Sequence, residues 1–196
     1  MNDHKGFFAM MARMKYIERW ALMRNSMSEN ICEHSLEVAM LAHGLGIIGR
    51  KRFGKDLSPE RLAMLGMYHD CTEIITGDMP TPVKYANDEL KEAYKAIEDS
   101  AAHRLLEMLP EDLRAEYESY FLPEQITPEE YRYVKAADKL SALIKCIEEE
   151  KTGNQEFRSA KQATYESLQQ MNMPEVTVFC EVFLPEYYKT LDELEH

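Results

Sequence analysis

The stretch Leu62-Ala-Met-Leu-Gly-Met-Tyr-His-Asp-Cys-Thr-Glu73 constrains this chain more than any other. Its pattern is apolar and helical, yet it ends in His69, Asp70 and Glu73. Burying such polar groups without partners is costly. A fold that buries this stretch must therefore supply a metal ion or a hydrogen-bond network. An adjacent His and Asp on one helical turn can both reach a single ion. Glu73 lies four residues after His69 and three after Asp70, so on a continuous helix it projects over nearly the same face.

Helix signals dominate the rest of the chain, and strand signals are nearly absent. Phe7, Met10, Met11, Met14 and Ile17 recur at helical spacing, a Met-rich stripe that suits core packing. Arg24 to Asn30 is polar and is expected to be a loop. His34, Val38, Leu41, Leu45 and Ile48 share one helix face, which puts His34 at the N-terminal end of a buried stripe. Lys51 to Leu57 is a polar connection. Ser58-Pro59 then opens a helix, with Ser as N-cap and Pro at the first helical position. That helix is expected to carry His69, Asp70 and Glu73 and to stop at Gly77. Pro80 and Pro82 cannot continue it, so Asp78 to Pro82 is expected to be a stiff loop.

Asn87 to Leu109 is helical again, Pro110 breaks it, and a short helical piece runs to Leu122. Thr127-Pro-Glu-Glu130 places an N-cap, a helical Pro and a capping-box Glu in register. The helix it opens runs to Lys151 with Asp138 inside it, and Gly153-Asn154 ends it. Phe157 to Gln170 and Glu175 to Leu194 complete the pattern, the latter interrupted at Pro185. No repeat, low-complexity run or linker divides the chain, and no long heptad run suggests a coiled coil. The expectation is one all-α domain, residues 1–196, of roughly seven to nine helices.

At 196 residues the chain is long enough to bury a real core. Its formal net charge of −12 argues against broad electrostatic binding of nucleic acid and offers no basic stripe for a membrane of anionic lipid. A small anionic substrate stays compatible, because a metal and one or two arginines reverse the sign locally. Cys32, Cys71, Cys146 and Cys180 form no Cys-x-x-Cys pair and no dense disulfide framework, which suits free thiols in a reducing cytosol. No segment reaches the ~18 apolar residues of a membrane span. Gly6 to Ala12 is short and is followed by Arg13 and Lys15, unlike a signal peptide. A cytoplasmic protein is expected.

His34, His69, Asp70 and Asp138 come from three separate helices. Two imidazoles and two carboxylates suit a divalent transition-metal ion (Mn²⁺, Fe²⁺, Co²⁺, Ni²⁺ or Zn²⁺) better than Ca²⁺. Four protein ligands on a five- or six-coordinate ion leave room for water and substrate. Spacing alone does not separate such a site from histidines satisfied within a core. His4 and His196 are terminal and expected in solvent. His43 and His103 have no acidic neighbour in a telling register and are read as structural.

The order His34, His69-Asp70, Asp138 on a helical chain resembles the HD-domain metal-dependent phosphohydrolase superfamily. Neighbouring segments narrow the resemblance. Glu18-Arg-Trp-Ala-Leu-Met-Arg-Asn25, Glu33-His-Ser-Leu-Glu-Val-Ala39, Met67-Tyr-His-Asp70 with Glu73, Thr76-Gly-Asp-Met-Pro-Thr-Pro-Val-Lys-Tyr85 and Lys135-Ala-Ala-Asp-Lys-Leu140 look like the bacterial HD-domain 5′-deoxynucleotidases. The resemblance covers nearly the whole chain; over Lys151 to His196 it is one of length and helicity.

That resemblance implies an HD-type helical bundle that removes the phosphate from deoxyribonucleoside 5′-monophosphates. It implies one divalent ion on His34, His69, Asp70 and Asp138, and a homodimer. The apolar segment Val176 to Leu184 suits either an interface or the core. A divalent ion neutralises a phosphate oxygen and lowers the pKa of a bound water, so the chemistry agrees. Glu73 is then the acid/base. Arg19 is the phosphate clamp, because a guanidinium binds two oxygens in a fixed plane; Arg24 and Lys84 are lesser basic candidates. Trp20 would pack against the sugar and leave no room for a 2′-hydroxyl. Asp70 and Asp138 would also meet substrate or water. Asp78 would accept from the 3′-hydroxyl, with Met79, Pro80 and Thr81 completing the sugar loop.

Each role has a plainer alternative. Glu73 can be an exposed helix carboxylate, Arg19 a surface arginine, Trp20 a half-buried core anchor, and Gly77-Asp78 a helix stop. No residue is an obvious reader of the base. Two other functions compete: an HD phosphohydrolase for a different nucleotide, and a nonenzymatic nucleotide-sensing HD module.

Overall fold

Helix caps delimit the three helices that hold or directly precede the candidate ligands. The Asn30 side chain accepts from the amides of Cys32 and Glu33 while Glu33 reaches back to the Asn30 amide, and Gly54 closes the helix at φ 64°. Ser58 caps the next helix with Pro59 in its first turn. Thr127 and Glu130 form the expected capping box, again with Pro in the first turn. The computed structural model describes residues 5–84 and 86–195, with the Thr81 side chain outside that description. The expectations for His4 and His196 also lie outside the described residues.

In chain order the α-helices are α1 (Phe7–Met11), α2 (Ile31–Phe53), α3 (Pro59–Tyr68), α4 (Glu73–Thr76), α5 (Thr81–Lys84), α6 (Asp88–Leu106), α7 (Glu111–Phe121), α8 (Pro128–Lys151), α9 (Arg158–Gln170), α10 (Pro174–Val182) and α11 (Leu191–Leu194). Short 3₁₀ turns occupy Ala12–Tyr16, Pro123–Gln125 and Leu184–Tyr188. Among the described residues there is no strand, only an isolated antiparallel bridge between Glu18 and Asn30. The all-α expectation holds, with seven helices of nine residues or more among the described residues and single turns between them.

Two apolar clusters flank the candidate ligands. In one, Val38, Leu41 and Leu45 of α2 pack with Leu62 of α3, Leu140, Ile144 and Ile147 of α8, and Val176 and Phe179 of α10. In the other, Phe7, Met14 and Ile31 pack with Cys71, Leu105, Leu106 and Phe121. His34 lies on α2 between Ile31 of the second cluster and Val38 of the first. The helices α2 and α3 approach closely because glycines line the crossing. A Cβ at Gly66 would sit 3.0 Å from Ala39 Cα, and one at Gly46 would sit 3.1 Å from Pro59 Cα.

Several sequence expectations change. The helix from Pro59 does not run through to Gly77. It ends at Tyr68, and the chain continues through i→i−3 hydrogen bonds from Cys71 to Tyr68 and from Glu73 to Asp70. The His69 imidazole donates to the Gly66 carbonyl at 2.7 Å, the group that the Asp70 amide would take in a continued helix. Pro82 does not prolong the loop but lies in the first turn of α5, where its missing N–H costs nothing. α2 runs past Lys51 to Phe53, and Glu175 to Leu194 breaks into α10, a 3₁₀ turn and α11. Val176, Phe179 and Leu184 of the apolar C-terminal segment belong to the core, while Val182 and Phe183 face outward.

α2 bears on the membrane argument, because by length and composition alone it is apolar enough to cross a membrane. Its apolar face instead packs against α3, α8 and α10, and it carries Glu33 and Glu37.

Replacing Gly66 with Ala is expected to force α3 away from the Ala39 backbone and to cost about 1–3 kcal/mol of stability, the scale of overpacking. Urea denaturation of the metal-free protein measures this. An unchanged midpoint would mean that the crossing has slack.

Candidate metal centre and active site

His34 is fully buried one turn into α2, 0% exposed. Its Nδ1 lies 2.9 Å from Ser141 Oγ on α8. Its Nε2 lies 3.5 Å from Asp70 Oδ2 and 3.3 Å from Asp138 Oδ1. His69, at the end of α3, points its Nε2 at the same Asp70 oxygen, 3.0 Å away. The two rings are 5.1 Å apart. One ligand atom from each of His34, His69 and Asp70 falls within 4.8 Å of the others. Asp138 sits at the edge of this group: one oxygen faces His34 and the other is 2.9 Å from Lys135 Nζ. Thus the four predicted ligands converge, three tightly and the fourth through His34.

The hydrogen-bond chemistry tests whether a cation fits. A carbonyl only accepts, so His69 carries a proton on Nδ1, which leaves Nε2 as the ring atom free to offer a lone pair toward the carboxylate oxygen it faces. Two lone pairs facing each other at this distance repel unless a positive charge lies between them. Both Nε2 atoms are buried without a hydrogen-bond partner. Orphaned nitrogens beside two carboxylates are a donor set that fits a divalent transition-metal ion.

Electrostatics sort the acids. Burial raises the Asp70 carboxyl, but His69 and His34 outweigh it and hold Asp70 well below the usual range. Burial likewise opposes ionisation of Asp138, and Lys135 and His34 overcome it, so that carboxyl is also held far down. Glu73 behaves oppositely. It opens α4, is 6% exposed, and has a buried oxygen without a partner. Burial first, then the charges of Asp70 and Asp78, push its carboxyl up to about 10, against Arg19 and Lys84. Glu73 is therefore not an exposed helix carboxylate: it is a buried carboxyl pushed up beside two held down, the separation that sorts acid from base.

The Arg19–Trp20 segment closes the other side. Arg19 is mostly buried, with Nε 3.1 Å from Glu29 and a terminal nitrogen 3.5 Å from Asp70 Oδ2. Burial disfavours its charge, but Glu29, Asp70, Asp138 and Asp78 together outweigh that. Trp20 has φ 60°, a strained backbone for a bulky residue. Its Nε1 donates to Glu29 at 2.7 Å, and its ring packs edge-on against buried Phe157, centroids 5.3 Å apart. One oxygen of Glu29 thus pins both Arg19 and Trp20.

The loop is anchored further in. Glu149 accepts from the amides of Ser26 and Met27, and Lys145, paired with Glu149 at 2.5 Å, donates to the Met27 carbonyl.

Asp78, Met79 and Pro80 form a half-buried loop after α4. Burial lifts the Asp78 carboxyl, while Arg19 and the Trp20 amide pull it down, so Asp78 faces the same space as Arg19. Thr81 begins α5, and its side chain lies outside the described residues. Lys84 pairs with Glu98 at 2.8 Å and acts on Glu73. Arg24 points away: its side chain is 91% exposed and meets Glu156. His43 is exposed on α2, and His103 bonds the Asp99 carbonyl of its own helix, so neither joins the site.

A family model described as 5′-deoxynucleotidase YfbR-like matches residues 6–187. The chain belongs to the YfbR-like 5′-deoxynucleotidase family. Among its relatives, a 5′-deoxynucleotidase of Vibrio cholerae is 48% identical over 96% of this chain and 97% of its own length. The 5′-deoxynucleotidase YfbR of Shigella boydii is 46% identical over 96% of this chain and 94% of its own. The fold is shared with a Listeria innocua HD-domain phosphohydrolase, TM-score 0.79 at 22% identity, covering 96% of this chain and 91% of that one. It is also shared with a cyanophage S-2L HD phosphohydrolase bound to dA and one catalytic Zn²⁺, TM-score 0.64 at 23% identity, covering 93% and 96%.

Within this family's scaffold, four neighbours of the site escaped the sequence reading: Glu29, Glu37, Lys135 and Ser141. Three had a signal available. Glu37 is three residues after His34, Ser141 three after Asp138, and Lys135 three before it, which is the spacing that shares a helix face. Glu29 lies in a loop, where no periodicity marks it.

Proposed function

We propose that the chain removes the 5′-phosphate from deoxyribonucleoside 5′-monophosphates, using one divalent ion held by His34, His69, Asp70 and Asp138. The observation that carries the proposal is the pair of orphaned Nε2 atoms aimed at Asp70, beside a buried arginine and the buried Glu73 carboxyl. The relatives named 5′-deoxynucleotidases support the reaction, and the neighbour bound to dA and Zn²⁺ supports a deoxynucleoside beside a transition-metal ion. Mn²⁺, Fe²⁺, Co²⁺, Ni²⁺ and Zn²⁺ all suit this mixed donor set.

When bound, the ion supplies positive charge to a phosphate oxygen and lowers the pKa of water. Arg19 then binds the phosphate through its planar guanidinium, held in place by Glu29. Added positive charge in the site would favour the carboxylate form of Glu73, which would take a proton from the attacking water, while the departing 5′ oxygen would draw its proton from solvent. Asp78 accepts from the 3′-hydroxyl, and Met79, Pro80 and Thr81 complete the sugar loop. Trp20 forms the wall at C2′, and its contacts with Glu29 and Phe157 keep that wall from retreating. A 2′-hydroxyl striking it shifts the phosphate off its position, and small misplacements slow the chemistry steeply.

The free cysteines Cys32, Cys71, Cys146 and Cys180 suit a cytoplasmic enzyme. A homodimer is part of this reading, with exposed Val182 and Phe183 as its candidate apolar contacts. Small nucleotides rather than nucleic acid polymers or membranes are its partners, in keeping with the net charge of −12.

Glu73→Ala is expected to keep its metal and bind substrate while turnover falls by roughly 10²-fold or more. Metal analysis alongside steady-state kinetics reads both. Parallel loss of metal and activity would make Glu73 a ligand or a support. Trp20→Ala is expected to narrow the ratio of kcat/KM for dAMP over AMP, measured with one metal at subsaturating substrate. An unchanged ratio in the folded variant would move the sugar filter elsewhere in the pocket.

A further inference from the structure

The two imidazoles face the same oxygen with their Nε2 atoms, but different groups hold their Nδ1 atoms. For His69 the holder is a main-chain carbonyl, which accepts and nothing else. For His34 it is the hydroxyl of Ser141, which can donate or accept. Ser141 is fully buried on α8, one turn after Asp138. Its hydroxyl donates to Glu37 Oε2 at 2.5 Å, and Glu37 sits on α2 one turn after His34. A hydroxyl has a single proton. Once that proton goes to Glu37, Ser141 Oγ can only accept from His34, so the ring proton must lie on Nδ1.

We infer that Ser141 and Glu37 are positioning residues that fix the His34 tautomer and so present its Nε2 lone pair to the metal ion. The inference rests on the proposed ligand role of His34. The opposite tautomer would turn an N–H toward Asp70 and Asp138 and block the cation. Among the described residues Ser141 is the hydrogen-bond partner of His34 Nδ1, and its hydroxyl follows whichever neighbour takes its proton. The direction holds while Glu37 is ionised. Burial first, with Glu29 and Glu148, raises that carboxyl above its ordinary value, and the Ser141 hydroxyl and His34 only partly oppose the rise. Groups that orient metal-bound histidines through their second nitrogen typically contribute 10–100-fold in affinity.

The test is the affinity of metal-stripped protein for Co²⁺ or Zn²⁺, measured by competition with a chelating dye. Ser141→Ala is expected to bind the ion about 10–100-fold more weakly, and Glu37→Ala to weaken it in the same direction by less. Ser35→Ala is the control. Ser35 is also buried, adjoins His34, and has a hydroxyl without a partner, so its removal is expected to leave metal affinity unchanged. Circular dichroism of each metal-free variant establishes folding, and Glu37→Ala decides alone where Ser141→Ala does not fold. Folded Ser141→Ala and Glu37→Ala that bind as tightly as the unsubstituted protein would overturn the relay. So would Ser35→Ala weakening the site as much as Ser141→Ala. His34→Ala separates the two levels: retained metal in that variant defeats the ligand assignment, whereas lost metal there with tight binding in Ser141→Ala defeats the relay alone.

Discussion

Two buried imidazole nitrogens pointing at one carboxylate oxygen are the interaction on which the rest of the structure depends. Without a cation, His34 Nε2, His69 Nε2 and Asp70 Oδ2 form an arrangement no apolar core would choose. A buried polar atom left unpaired costs about 1–3 kcal/mol. Each fully buried Leu or Ile of the flanking clusters contributes roughly 1.5–3 kcal/mol in the other direction, so the scaffold can hold the site open. A ligand that binds only the folded site then adds its own binding free energy to stability. The close crossing at Gly66 brings α2 and α3 together, and the Gly66 carbonyl orients His69. One position thus serves packing through its missing Cβ and the site through its main-chain carbonyl.

The facing side depends on a chain of polar contacts rather than on apolar packing. Lys145 and Glu149, both buried, fasten the Ser26–Met27 backbone to α8. That loop carries Glu29, which in turn aims Arg19 and Trp20. Removing one partner of a buried ion pair leaves a charge unpaired and is strongly destabilising, so the loop depends on Lys145 and Glu149 together. The strain of Trp20 at φ 60° is maintained by these surroundings.

Much of this was legible in the sequence because caps and periodicity are local. Ser58-Pro59 and Thr127-Pro-Glu-Glu130 placed α3 and α8, and the apolar stripe behind His34 placed that imidazole inside. The break after Tyr68 was not legible. It coincides with a side chain bonding the Gly66 carbonyl, which no hydrophobic pattern records. The roles of Arg24 and Lys84 were indistinguishable in sequence and separate only through their partners, Glu156 at the surface and Glu98 near Glu73. The long apolar run of α2 satisfied the composition of a membrane span because its buried face takes up so much of its length. The Glu37–Ser141 pair was hidden for another reason: each residue is ordinary alone, and only the approach of α2 to α8 joins them.

Phosphate release from dAMP by the metal-stripped protein, with single divalent ions added back, tests the central claim most directly. The account predicts negligible release from the stripped protein, and recovery with a transition-metal ion of the kind imidazole and carboxylate favour. It also predicts far slower release from AMP under the same conditions. Equal release from dAMP with the metal removed and chelator present would contradict it, because the orphaned nitrogens of His34 and His69 would then have no role in the reaction.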